Sequence, residues 1–311
     1  MLSKRIPLRV SARLKSRRTA GDTVIDILIC LFFGIFAIIC IYPFYYIFIN
    51  SISANDLVER GRIVFLPQGI HFNNYAKVLE LKGLGMAVVN SLLRTGLGTV
   101  VHVISTAFVG YAMSRQEFWH RKFWYRFMII TMYLSAGVVP VYLNMRMLGL
   151  LNNFMVYILP GAVSAYNMIL IKTYMESIAV SLEESAVLDG AGYAVRFTRI
   201  ILPLSKPILA TVAVFKAVNE WNAYMDTILY MSSGKFQTLQ SMLWRYLNQA
   251  TELSKMLMNG GISDSAAASF ELNPISVRHT LTFITVLPIL CVYPYFQRFF
   301  VKGIMIGAVK G

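Results

Sequence analysis

Between Ile27 and Ile49 the chain runs for 23 residues without a single charge. About 20 apolar residues in a helix cross the roughly 30 Å of hydrocarbon in a bilayer. That run therefore constrains the fold more than any other feature. Five further apolar windows follow, so that the set is 24–49, 88–113, 127–145, 154–171, 207–231 and 279–301. A chain that is 57% hydrophobic and 14% charged cannot cover a soluble surface. The expectation is an all-α, polytopic membrane protein with six transmembrane helices. A basic stretch precedes the first window in the manner of a signal peptide. No small-residue cleavage site follows, which makes the window an uncleaved first span.

The net charge of +14 does not mark a nucleic-acid partner, because the basic residues are scattered among apolar spans. Topology explains them better. With the N-terminus in the cytoplasm, the segments 1–26, 114–126, 172–206 and 298–311 hold 18 of the 29 Lys and Arg residues, against 10 in the longer outer segments. The positive-inside rule then puts both termini and the loop after span four in the cytoplasm. Cys30, Cys40 and Cys291 sit inside apolar runs without metal-ligand spacing, so they read as small packing residues and no metal site is expected. Prolines at 43, 140, 160, 288 and 294 fall in or beside spans, where neighbouring helices re-satisfy freed carbonyls.

One polar stretch, SLEESAVLDGAGYAVRFTRIILP at 181–203, stands between spans four and five. Ser181 with Glu184 three residues on has the spacing of a capping box. A two-turn helix is expected through Leu188 or Asp189, ended by Gly190 and Gly192. A second helical stretch, Tyr193–Ile201, stops at Pro203, and Pro207 opens the next span. An interfacial connector would account for helical propensity alone. It would not account for the spacing of Glu184, Ser185, Ala186, Gly190, Ile200, Leu202 and Pro203.

That spacing resembles the cytoplasmic signature of permease subunits of binding-protein-dependent ABC importers, with Ser185 where alanine is usual. The resemblance implies the type I importer permease fold. It also implies a coupling helix, with Asp189 beside its closing glycine, that docks in a cleft of a separate ATPase. The tail QRFFVKGIMIGAVKG, 297–311, is similar to the end of the smaller, G-type permease of maltose-type sugar importers. In that family the tail, here Val309, Lys310 and Gly311, reaches into the ATPase dimer. The length of the loop after span five points to the LplC/YtcP-like branch, thought to serve oligosaccharides or polysaccharide fragments. The implied organisation is a basic segment 1–23 and a permease domain 24–311, with core 88–301, coupling loop 172–206 and tail 302–311. Implied partners are a second, non-identical permease subunit, two ATPase copies, an extracytoplasmic substrate-binding protein and the lipid bilayer of a bacterial cytoplasmic membrane. No cofactor is implied on this chain, ATP and magnesium belonging to the ATPase.

Span five holds Lys216, Asn219, Glu220, Trp221, Asn222, Tyr224 and Asp226. A carboxylate at mid-bilayer must face other helices or a wet cavity. From the window limits Glu220 falls there, and Lys216 four residues earlier can neutralise it. The alternative is a sugar path: amide and carboxylate groups meet hydroxyls while Trp221 and Tyr224 meet apolar sugar faces. The stretch also resembles the corresponding part of sugar permeases, which makes Glu220, Trp221, Asn222, Tyr224 and Asp226 the candidate path. His102 is a lesser candidate, and Arg94 is expected to snorkel to the outer surface. Farther on, Leu239, Met242, Leu243, Tyr246, Leu247 and Ala250 share one face of a helix that could lie in the membrane interface. The segment 259–274 after it reads as exposed loop, and 51–87 as the other external surface.

The chain has no phosphate loop ending in Gly-Lys-Ser/Thr, no His-Glu-x-x-His and no serine elbow, so no enzyme activity is expected. Two alternatives stay open. An importer permease for a non-sugar solute would share the signature. An ion-coupled secondary carrier would need internal repeats and leave the polar loop unexplained.

Overall fold

The computed structural model describes residues 20–258 and 274–308, and among them no strand occurs. By packing, the chain divides into a unit ending at Ile47 and a unit beginning at Phe48. The first unit is carried by α1 (Ala20–Ile52), whose last residues enter the second unit. Its apolar side chains point outward all round, Phe32 at 63% and Ile38 at 69% exposure. A helix apolar on every side is a membrane element.

The second unit opens with two short helices, α2 (Asn55–Glu59) and α3 (Asn73–Leu79). The stretch read as an external loop is therefore folded. Asn74 Nδ2 donates to Ser51 O and to Asn55 Oδ1, and Ser51 and Tyr75 share a 2.7 Å hydroxyl bond. Next come α4 (Leu84–Ser114), α5 (Arg121–Tyr133), α6 (Val138–Met147), a 3-10 turn at Phe154–Tyr157 and α7 (Ala165–Glu176). The polar stretch gives α8 (Val180–Leu188), α9 (Tyr193–Val195), a π-helical stretch Arg196–Ile201 and α10 (Leu202–Leu204). Then follow α11 (Lys206–Asn222), α12 (Met225–Tyr230), α13 (Leu239–Met258) and α14 (Pro274–Ala308).

Among the described residues three single helices are long and apolar enough to cross a bilayer, in α1, α4 and α14. Two bent pairs raise the number to five, so six single-helix spans are not what the fold presents. The third window breaks between α5 and α6 by 118°, where Gly137 takes φ +82° and Pro140 stands in the first turn of α6. The fourth window is no single helix. Pro160 and Gly161 separate the 3-10 turn from α7, which starts only after Ser164 caps the Asn167 N–H. Proline cannot donate and disfavours helix in the residue before it. Window five ends early because Ala223 is extended at ψ 130°.

The centre of the second unit is α4, which packs along α11 and α7. Tyr111, Ile171, Met175, Ile201 and Val212 form one buried cluster between these elements. Gly110 makes the α4–α7 approach possible, since a Cβ there would lie 3.0 Å from Ile171 Cγ2. Gly110→Val is expected to overpack that seam at a cost of about 1–3 kcal/mol, read as a lower melting temperature in detergent. The apolar face of α13 does not lie in a membrane interface. Leu239, Met242 and Leu243 are buried against α3, α4, α11 and α14, with Tyr246 and Leu247 packed on them. The environment of Ala250, the segment 259–273 and the tail residues Val309, Lys310 and Gly311 lie outside the described residues.

Candidate functional site

Two constellations carry the polar chemistry, one around α8 and one between α4 and α11. Helix α8 is not entered through a capping box. It begins at Val180 after Ala179, with no side-chain cap, which leaves Ser181 inside the first turn. There the Ser181 carbonyl accepts a 2.9 Å bond from Ser185 Oγ. The C-terminal end matches the expectation. Asp189 is the C-cap, Gly190 takes φ +79°, Gly190 N donates to Val187 O at 3.0 Å and Ala191 N to Ala186 O at 2.8 Å. These two bonds are the Schellman arrangement, which needs a left-handed residue at that position. Gly192 is extended and simply precedes α9. Nor does the second stretch stop at Pro203: helix continues to Leu204 before a 78° bend into α11.

Of the signature residues, Ala186 is buried, Ile200 and Leu202 are half-buried against the α4–α7–α11 cluster, and Glu184, Ser185, Asp189, Gly190 and Pro203 are exposed. Apolar residues are exposed with them. Leu188 is 89% exposed, and Val180, Leu182 and Val187 also lie open. Together they leave a group of apolar side chains open on an otherwise polar loop.

Sequence reading missed the charged groups that hold this loop. Glu183, 6% exposed, pairs with Arg115, the first residue after α4. Arg115 Nε donates to Ser114 Oγ at 3.0 Å, and its guanidinium lies 5.0 Å from the Tyr111 ring centre. Burial pulls the Arg115 pKa down, with Tyr111 and Glu117 opposing. A guanidinium nevertheless stays protonated at physiological pH. Arg121 pairs with Glu176 at the end of α7 and donates from Nε to Met113 O at 2.7 Å, and Lys172 holds Glu176 from one turn back at 2.8 Å. Together Arg115, Arg121, Glu176 and Glu183 line a cavity of about 430 Å³.

The second constellation is a buried charge cluster. Arg94 does not snorkel outward; it is 2% exposed. Its Nε donates to Glu220 Oε2 at 2.7 Å, one terminal nitrogen reaches Ala223 O at 3.2 Å and Asp226 Oδ1 at 2.9 Å, and the other also reaches Asp226. Lys216 Nζ completes it at 2.6 Å from Glu220 Oε1, as the four-residue spacing predicts. Helix α11 ends at Asn222, so Glu220 lies in its last turn rather than at its middle. The Ala223 carbonyl, orphaned where α11 breaks, has found a cationic donor. Gly161 leaves room for the ammonium: a Cβ there would stand 2.5 Å from Lys216 Nζ. Close by, His102 bonds Gly161 O and Asn167 at 2.7 and 2.8 Å.

The remaining candidate path residues divide. Trp221 is buried and donates from Nε1 to Thr285 O at 3.0 Å, so it joins α11 to α14. Tyr224 stacks on Trp244, and Asn222 accepts from Gln240 Nε2 at 3.2 Å while remaining exposed. Asn219 is exposed on the same side of α11. The structure thus brings Glu220 and Asp226 together with Arg94, and separates them from the open amides.

A family model described as binding-protein-dependent transport system inner membrane component matches residues 103–305. The polygalacturonan/rhamnogalacturonan transport system permease protein YtcP of Bacillus subtilis (strain 168) is 31% identical over 290 residues, covering 93% of this chain and 99% of that one. Protein LplC of the same organism is 34% identical over 294 residues, covering 94% and 97%. Among solved structures, a chain of a bacterial ABC transporter involved in the import of the acidic polysaccharide alginate superposes with TM-score 0.78 at 31% identity, covering 91% and 98%. The resemblance to permease subunits of binding-protein-dependent importers therefore holds.

Proposed function

The chain belongs to the binding-protein-dependent transport system inner membrane component family, and from that membership we propose how this permease subunit of a carbohydrate ABC importer works. It is a transport subunit, not an enzyme. Its cargo is an oligosaccharide or polysaccharide fragment, and acidic glycans come first, because relatives carry the names of galacturonan and alginate importers. Six crossings are assigned, the third and fifth through bent elements, with both termini and the 172–206 loop in the cytoplasm. A second, non-identical permease completes the path, two ATPase copies bind ATP and magnesium, and an extracytoplasmic protein delivers substrate.

The observation that carries this reading is Leu188, the exposed apolar knob at the glycine-closed end of α8. Glu184, Ser185, Ala186, Asp189 and Gly190 shape that docking helix. Ile200, Leu202 and Pro203 join it to α11, and Val309, Lys310 and Gly311 form the second ATPase contact. A solute passes along the open side of α11, where Asn219 and Asn222 offer amides beside Tyr224. Glu220, Trp221 and Asp226 shape the wall from behind.

Leu188→Glu is expected to weaken ATPase co-purification at least about 30-fold, the effect of losing an interface hot spot, with membrane yield unchanged. Retained co-purification would place the ATPase contact elsewhere. The function itself is tested in liposomes holding the whole complex, by uptake of a labelled oligogalacturonide with binding protein outside and ATP inside. Uptake that requires both is expected. Uptake that runs on an ion gradient without ATP would favour the secondary carrier.

A further inference from the structure

We propose that Arg115 and Glu183 form the link that carries motion of α8 into α4, so that α4 and α11 move together. The inference rests on the importer reading and adds two positioning residues to it.

Helix α8 follows α7 directly through residues 177–179, and beyond that neighbour it reaches the membrane elements by two routes. One is along the chain: α8 packs on the π-helical stretch, which runs through α10 into α11. This route contains a 78° bend, and it reaches α4 only indirectly, through the packing of α4 on α11. The other route is lateral and consists of the Glu183–Arg115 ion pair.

The geometry of that pair suits force transmission. Glu183 is the one charged residue buried on α8, beside the exposed Glu184. Arg115 is already oriented by groups of α4 itself, through Ser114 Oγ and the Tyr111 ring. A side chain held at two other points cannot follow a moving carboxylate without pulling on the helix that holds it. Charge-assisted hydrogen bonds are short and directional, which apolar packing is not. Burial at both ends, with side-chain exposures of 15% and 8%, limits screening by water and salt.

Neighbouring pairs do a different task. Arg121–Glu176 ties α5 to α7, Lys172–Glu176 lies within α7, and neither involves α8. Glu183–Arg115 is thus the ion pair by which α8 reaches α4 among the described residues. Both pairs border the same 430 Å³ cavity, so the packing around α8 leaves space for it to shift.

The test uses the complete complex in liposomes, with substrate uptake and ATP hydrolysis measured together. Four forms are compared: wild type, Glu183→Gln, Arg115→Gln, and the reversed pair Arg115→Glu with Glu183→Arg. Both single variants are expected to assemble with the ATPase and hydrolyse ATP. Uptake per ATP should fall about 10-fold, within the usual size of a coupling between sites. The reversed pair should regain most of it, which a merely local packing role would not produce. Unchanged uptake per ATP in the single variants, loss of assembly in Glu183→Gln, or a reversed pair no better than the worse single variant would overturn the proposal. Absence of ATP-dependent uptake in the wild type would instead defeat the importer reading beneath it.

Discussion

Arg94→Met is expected to destabilise the chain by about 3–5 kcal/mol, the usual cost of removing one partner from a buried ion pair. The reason is the group left behind. Glu220, itself 6% exposed, would keep only Lys216, and the orphaned Ala223 carbonyl would lose its donor. Asp226 is more open, with a side chain 26% exposed, so it can recruit water and contributes less to the penalty. Neutralising Asp226 in the same chain, as Arg94→Met with Asp226→Asn, should recover part of the loss, because it removes the carboxylate left without a cation and keeps the Lys216–Glu220 pair. The measurement is a thermal unfolding curve in mild detergent alongside the yield of monodisperse protein. A single variant that melts with the wild type would mean the cluster is far wetter than its burial implies.

Gly190→Val is expected to abolish uptake while leaving membrane insertion intact. Space is not the obstacle, since a Cβ at this position would meet nothing within 4 Å. The obstacle is φ +79°, a left-handed conformation that costs an L-residue about 1–2 kcal/mol and more when it is β-branched. Valine would therefore undo the two closing hydrogen bonds and re-aim Leu188. Asparagine tolerates the left-handed region, so Gly190→Asn should keep most of the uptake. Uptake by inserted protein, normalised to its amount in the membrane, separates these outcomes. Equal uptake by Val and Asn variants would remove the turn from the coupling account.

How much of this was legible in the sequence depends on whether the deciding partner is local. The spans in α1, α4 and α14 were readable because each is one helix, and hydropathy measures apolar length directly. The windows at 127–145, 154–171 and 207–231 hid breaks at Gly137, Pro160–Gly161 and Ala223, to which an apolar average is blind. Ser181 and Glu184 had capping-box spacing, but Val180 extends the helix a residue earlier and places the serine inside it. The closing glycine was legible because only its own φ was at stake. Arg94 was misread because its partners Glu220 and Asp226 lie 126 and 132 residues away. Nothing near Arg94 signals them. The surplus of carboxylates at the end of span five was the one available hint that a distant cation was needed. Glu183 was passed over for a similar reason, standing next to a recognisable signature while its own partner waited at the end of α4.

The central claim is that this chain is one half of a channel driven by a separate motor. The most direct measurement is to tag its N-terminus, sparing the tail, and identify what co-purifies in mild detergent. The account predicts an ATPase together with a second multi-span permease, in a complex that transports only with ATP. A chain that purifies alone, stable and transport-competent in liposomes without ATP, would contradict it.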